Sequence, residues 1–241
     1  MYVLGIDTAT PVTSVAIGSQ TGILASASIR QDRGHARLLA PTVKWLLEQA
    51  ELESSAIACV AVGTGPGLFS GLRVGVGTAK ALAQSWQRPM VAIPSLDLLA
   101  FNQRYAPRPV CAVIDGRRGE VFAALYKHVP GGMIRLTEPQ VLKPEELAAA
   151  IQARGEHVLF VGDGAIAYRS VFERSGARID LGTAAQSAPS AEALVELAVP
   201  QFQREEFVNP FEVSPLYLRR PDIDPNVEQR AAIADDDGVE V

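Results

Sequence analysis

Only two cysteines occur among the 241 residues, Cys59 and Cys111, and each lies inside an apolar run. That excludes a disulfide scaffold and points to buried, inert thiols. The three histidines, His35, His128 and His157, show no i, i+4 pairing. Neither His-Glu-x-x-His nor Cys-x-x-Cys is present, so a metal site has no support. No Gly-x-Ser-x-Gly elbow occurs, which removes serine hydrolysis. Aromatics are only 6%, and no basic stripe interleaves them. The longest apolar runs, such as 56-AIACVAV-62, are of strand length. A membrane span needs roughly 20 such residues. No basic segment precedes the first apolar run, so a secretory signal is not expected. The expectation is a soluble, cytoplasmic protein.

Hydrophobic residues make up 48% and charged residues 20%, an ordinary globular composition. The net charge of −5 is unevenly spread. Residues 221–241 hold seven carboxylates against Arg230 alone, a net of −6 that leaves the first 220 residues at +1. This segment reads as a disordered acidic tail, either solubilising or docking on a basic partner. A body near neutrality does not bind RNA strongly by charge. Its paired arginines, Arg117 with Arg118 and Arg219 with Arg220, give nucleic-acid binding only partial support.

Hydropathy patterning predicts α/β architecture with mixed sheets. Three β-prone runs, 2–7, 13–18 and 22–29, form an antiparallel meander. A helix over 36–52 carries Leu39, Val43, Leu46 and Leu47 at helical spacing, with Pro41 kinking it or shifting its start. Strand 56–62, a Gly-rich loop at 63–71 and a helix over 72–86 follow. A strand at 90–93 leads to a helix over 96–104 with Ser95 as its N-cap. A second set begins at 110–115 with a strand, a Gly-Arg-Arg-Gly turn and a return strand at 120–126. Both hairpins place an Asp, Asp7 or Asp115, at the end of the first strand, which suggests an internal repeat. A helix at 145–153, a strand at 157–162, helices near 166–174 and 190–203 and an ordered segment at 213–219 complete the pattern.

The loop 63-GTGPGLFSG-71 sits between a buried strand and a helix, where backbone amides can bind an anion. It fits neither the P-loop nor the dinucleotide fingerprint. Two readings stay open, phosphate binding and close packing against another helix or a partner. Gly75 and Gly77 cost helix propensity, about 1 kcal/mol each, which close approach would offset. Asp7, with Thr8 and Thr10, could hold a hydrated magnesium ion and a phosphate, or simply form an Asx turn. His35 reads as a surface or capping residue.

Taken in order, Ile6-Asp7-Thr8-Ala9-Thr10, the His35 helix with Leu39 and Pro41, the run Gly65-Pro66-Gly67-Leu68-Phe69-Ser70-Gly71-Leu72-Arg73-Val74-Gly75, Pro94-Ser95-Leu96, Asp115-Gly116-Arg117-Arg118 and Tyr217-Leu218-Arg219 carry a resemblance. Over residues 1–220 the chain resembles the bacterial TsaB family, also called YeaZ. It has Leu68 where that family usually has Ser, and Ser70 where Thr is usual. The resemblance implies an actin-like ATPase fold of two duplicated subdomains, 1–106 and 107–220, followed by the tail at 221–241. It implies a role in making threonylcarbamoyladenosine beside the anticodon of tRNA. The implied role is that of a non-catalytic subunit. It pairs with a larger homologue, TsaD, and is joined by a TsaE-type ATPase; a homodimer is the alternative pairing. Contact with tRNA is implied only through the complex. The partner surface it implies is formed by the first two helices, with Leu39, Val43, Leu46, Leu47, Phe69, Arg73, Val74, Gly75, Thr78 and Leu82. Ala9 stands where the phosphate motif of active members has Gly, so no nucleotide is expected to bind tightly. ATP or ADP at the partner interface is left open; the candidate nucleotide-binding residues are Asp7, Thr8 and Thr10. The competing readings are an ATP-dependent small-molecule kinase of the same fold class, and a protease.

Overall fold

A computed structural model describes residues 1–31 and 34–219. The acidic tail expected at 221–241 lies outside the described residues. Two sheets form, each the centre of a lobe. The first runs in the order β3-β2-β1-β4-β5. It comprises β1 (Tyr2–Asp7), β2 (Val12–Ser19), β3 (Gly22–Arg30), β4 (Ile57–Gly63) and β5 (Met90–Ile93). Its helices are α1 (His35–Gln49), α2 (Phe69–Ser85) and α3 (Ser95–Phe101). The second lobe contains β6 (Val110–Arg117), β7 (Glu120–Val129), β8 (Gly132–Arg135), β9 (Gln140–Leu142), α4 (Pro144–Arg154), β10 (Val158–Val161), α5 (Asp163–Ala167), α6 (Arg169–Arg174) and β11 (Ile179–Leu181). Helix α7 (Ala191–Gln203) closes the regular structure.

The internal repeat is real at the level of topology. In lobe one, β1 pairs antiparallel with β2 on one side and parallel with β4 on the other. In lobe two, β6 pairs antiparallel with β7 and parallel with β10. The order of the second sheet, β11-β10-β6-β7-β8, repeats that plan, with β9 added beside β7. Asp7 lies opposite Ser14 in the first hairpin, and Asp115 opposite Val121 in the second.

Strand β4 is apolar throughout because both its faces are covered. Val60 and Val62 join Leu39, Val43 and Leu46 of α1 and Val76, Ala79 and Ala83 of α2 in one cluster. Cys59 and Ala61 point the other way, into a cluster with Leu194, Val195 and Ala198 of α7. So α1 and α2 cover one face and α7 the other. Both cysteines are buried, and burial pushes each thiol up to about 12, as expected of inert groups.

This arrangement corrects the simple division at residue 106. The two sheets do part near that point, but α7 returns from the second lobe and packs on the first sheet. The second lobe is therefore not the contiguous run 107–220. Helix α3 lies between the lobes, with Leu98 in the α7 cluster and Leu96, Leu99 and Ala100 against the second sheet. A polar tie reinforces the junction. The Tyr126 hydroxyl donates to Asp97 at 2.6 Å, and the Arg135 guanidinium donates to both Asp97 oxygens at 2.8 Å. Among the described residues, no helix is long and apolar enough to cross a membrane.

Candidate functional site at the first turn and the paired helices

Asp7 ends β1 and is fully buried. Both its oxygens are engaged by the chain itself. The Ala9 N–H donates to Oδ1 at 3.0 Å, and the Ser95 hydroxyl donates to Oδ2 at 2.6 Å. Ser95 Oγ in turn accepts from the Gly65 N–H at 3.0 Å. Burial raises the Asp7 carboxyl above its ordinary range, while the Ser95 and Ala9 hydrogen bonds pull it back. The expected N-cap role of Ser95 is corrected here. Pro94 caps α3, and the Ser95 side chain makes no cap hydrogen bond because it serves Asp7.

Glycine spacing explains what closes over this turn. Gly67 in the loop and Gly71 and Gly75 in the first turns of α2 recur every four residues and face residues 8–9. A methyl on Gly67 would overlap the Ala9 carbonyl, and one on Gly71 the Thr8 carbonyl. One on Gly75 would overlap Thr8 Oγ1. The hydrogen bonds agree, since Thr8 Oγ1 donates to the Gly71 carbonyl at 2.7 Å and the Leu68 N–H to the Ala9 carbonyl at 2.8 Å. Gly63 leaves room for Asp7 itself. The loop 63–71 and the first turns of α2 thus lie directly on residues 8–9. Thr8 and Thr10 are buried. At this turn the chain's own backbone and Thr8 side chain occupy the space next to Gly67, Gly71 and Gly75.

The structure revises three sequence expectations. Gly75 faces the chain's own Thr8 and not a partner helix. Leu39, Val43 and Leu46 are core residues of lobe one, so they have no area to offer a partner. Leu47, Val74 and Leu82 are partly buried against that same core. His35 is not a surface residue either. It is buried, and its Nδ1 lies 2.7 Å from Thr13 Oγ1. Burial lowers its pKa, which favours the neutral ring. Thr13 is buried beside it.

What the two helices leave outward is different. On α2, the exposed residues Ser70, Arg73, Gly77, Ala81 and Gln84 recur at three- and four-residue spacing. Nothing lies within 4 Å of where a Gly77 methyl would be. Thr78 and Phe69 flank this row, both partly exposed. On α1, Pro41, Lys44 and Trp45 face outward, with Trp45 51% exposed. An outward tryptophan on α1 and an exposed row on α2 that includes Gly77 and Ala81 offer surface to another helix.

In lobe two the equivalent turn is less closed. Asp115 Oδ1 accepts from the Arg117 N–H at 2.9 Å and from the Tyr168 hydroxyl at 3.3 Å. Asp163 Oδ1 accepts from the Asp115 N–H at 3.0 Å. Burial pushes the Asp163 carboxyl up to about 6. No group of three His, Cys, Asp or Glu side chains able to hold a metal ion occurs among the described residues.

Comparison with known proteins gives this geometry a family. The chain matches the family model described as TsaD, tRNA N6-adenosine threonylcarbamoyltransferase, over residues 22–226. It is 32% identical over 223 residues to the tRNA threonylcarbamoyladenosine biosynthesis protein TsaB of Escherichia coli, covering 91% of this chain and 95% of that one. The chain belongs to the TsaB (YeaZ) family. The Bacillus subtilis TsaB is 28% identical over 220 residues, covering 91% of this chain and 94% of that one. The solved YeaZ structure from Pseudomonas aeruginosa superposes with a TM-score of 0.77 at 32% identity, covering 90% of this chain and 99% of that one. The fold is the actin-like ATPase fold in two duplicated lobes, and the TsaB family works in threonylcarbamoyladenosine synthesis on tRNA.

Proposed function

We propose that this chain is the non-catalytic, activating subunit of the complex that transfers a threonylcarbamoyl group to the adenosine beside the tRNA anticodon. One observation carries the reading. The phosphate turn of the fold is sealed by the Gly67–Gly71–Gly75 stripe, with Asp7 locked to Ser95 and Ala9. A carboxylate whose two oxygens are already satisfied inside the protein is a poor ligand for a hydrated metal–phosphate. The catalytic step then belongs to a partner.

The partner is a TsaD-family chain, and a TsaE-type ATPase joins the pair. Support comes from the shared fold: the model this chain matches is that of the transferase itself. A partner of the same fold brings an equivalent pair of helices. The row Ser70, Gly77 and Ala81 on α2, with Trp45 on α1, offers them a close approach. Leu47, Val74, Thr78 and Leu82 form the flank of that face. Any ATP or ADP held between the partners would be bound chiefly by the partner's open site.

The test is reconstitution by omission. The purified chain alone is expected to show no sustained ATP hydrolysis and no phosphoryl transfer to small substrates. Adding it to the TsaD-family partner is expected to raise tRNA modification. Turnover by this chain alone, abolished by Asp7→Ala, would support the kinase reading instead.

A further inference from the structure

We infer that the docking face has a third wall, the C-terminal strap of residues 205–219. Phe211 is its anchor, and Arg73 is a seat for a carboxylate of the TsaD-family partner. The inference rests on the reading of α1 and α2 as the partner face.

The strap leaves α7 and runs antiparallel along α2. Val208 and Met90 exchange backbone hydrogen bonds at 2.8 and 3.3 Å. Lys80 Nζ, from α2, donates to the carbonyls of Phe211 at 3.3 Å and Val213 at 2.9 Å. Val213 is buried in the core beneath α1 and α2. The Leu216 N–H donates to the Thr64 carbonyl at 2.8 Å. Further on, the Tyr217 ring lies 5.1 Å from Phe69, and Arg73 Nε donates to the Tyr217 hydroxyl at 3.4 Å. Leu218 packs against the second-lobe core. Six attachments therefore hold the strap against the fold.

Several of its side chains nevertheless point outward. Phe211 is 76% exposed and Tyr217 40%. Phe207 and Val208 are exposed as well. Water-facing aromatics cost solvation, and the ordering entropy that a flexible segment would lose on binding is already spent here. Phe, Tyr and Arg on a rigid support are the residue types that dominate binding hot spots. Lys80 and Arg73 reach the strap from α2, so the strap borders the helix face that carries Gly77 and Ala81.

Arg73 identifies the chemistry of the occupant. Its guanidinium carbon sits 3.9 Å from the Phe69 ring centroid. Among the described residues no carboxylate pairs with it; its contacts are the Phe69 ring and the Tyr217 hydroxyl. A cation held flat on an aromatic ring, with donors left over, takes an acidic side chain from the partner. A second copy of this chain and its own acidic segment are the competing occupants.

The test titrates the purified TsaD-family partner against four forms of the full chain: wild type, Ala81→Arg, Phe211→Ser and Arg73→Glu. The Phe211 ring is exposed, so Phe211→Ser should keep the wild-type thermal midpoint; Arg73→Glu also loses the Phe69 and Tyr217 contacts, so its thermal midpoint and circular dichroism are measured beside its Kd. Phe211→Ser and Arg73→Glu should each raise Kd at least tenfold, and the Arg73→Glu loss should shrink at high salt. If Ala81→Arg abolishes binding while both strap variants stay within twofold of wild type, the strap lies outside the interface and the inference fails, with the helix reading intact. If Ala81→Arg also binds normally, both fail. Weakened self-association in sedimentation, with unchanged affinity for the partner, would assign the strap to a homodimer and overturn the inference.

Discussion

Two glycines in one helix should respond to the same substitution with opposite signs. Gly75 and Gly77 both lie inside α2, where Ala is worth about 1 kcal/mol over Gly by intrinsic propensity. At Gly77 nothing lies within 4 Å of the new methyl, so Gly77→Ala should stabilise by about 1 kcal/mol. At Gly75 the methyl overlaps Thr8 Oγ1, and Thr8 is buried and β-branched. Thr8 cannot swing away without breaking its 2.7 Å hydrogen bond to the Gly71 carbonyl. Overpacking costs about 1–3 kcal/mol. The lost hydrogen bond adds roughly 1 kcal/mol. Set against the propensity gain, Gly75→Ala should destabilise by about 1–3 kcal/mol. Urea unfolding of both variants beside wild type measures this, with a constant m-value as the check on two-state behaviour. Adding Thr8→Ala should recover part of the Gly75→Ala loss. Equal stabilisation by the two substitutions would refute the sealing of the first turn by α2.

Other outcomes follow from the same contacts. Ser95→Ala leaves Asp7 Oδ2 and the Gly65 N–H without their partner, so it should cost about 2–4 kcal/mol in urea unfolding; a loss under 1 kcal/mol would contradict the network. Burial raises the Asp163 carboxyl from 3.8 to about 6, so the folded state binds its proton more tightly than the unfolded chain. Unfolding free energy should therefore fall as pH rises through that window, by of the order of 3 kcal/mol at most. Asp163→Asn should flatten this slope, because its Oδ1 can still accept from the Asp115 N–H; an unchanged slope in urea titrations across the window would assign it elsewhere. Trp45→Ala should leave stability nearly unchanged, since the ring is half exposed, yet weaken partner binding at least tenfold; calorimetric titration decides.

Much of the fold is legible in the sequence because its long elements are strongly patterned. The meander, the apolar β4, both long helices of lobe one and the paired Asp-ending hairpins follow from alternation, helical spacing and punctuation. The short strands β8, β9 and β11 escape, because three or four residues carrying Arg, Gln or Asp show no alternation to read. The placement of α7 escapes for another reason. An amphipathic pattern says that a face is buried, not which sheet buries it. The glycines are a third case. Spacing signals close approach at Gly75, but only the fold shows that the approaching group is Thr8. Ser95 illustrates the same limit, since a hydroxyl at a helix start reads as a cap until the fold brings Asp7 beside it. The strap is legible only in part: order at 213–219 is expected, but its irregular run over 205–212 owes its place to Lys80 and Met90, residues distant in sequence.

The most direct measurement is tRNA threonylcarbamoyladenosine formation by the TsaD-family partner, supplied with the TsaE-type ATPase and either wild-type chain, Asp7→Asn or Ala81→Arg. Asp7→Asn, if folded, should support modification, because the closed turn has no catalytic part. Ala81→Arg should fold normally and fail to activate, because it blocks the outward face of α2. Full activity with Ala81→Arg, together with loss of activity in a folded Asp7→Asn protein, would contradict the account.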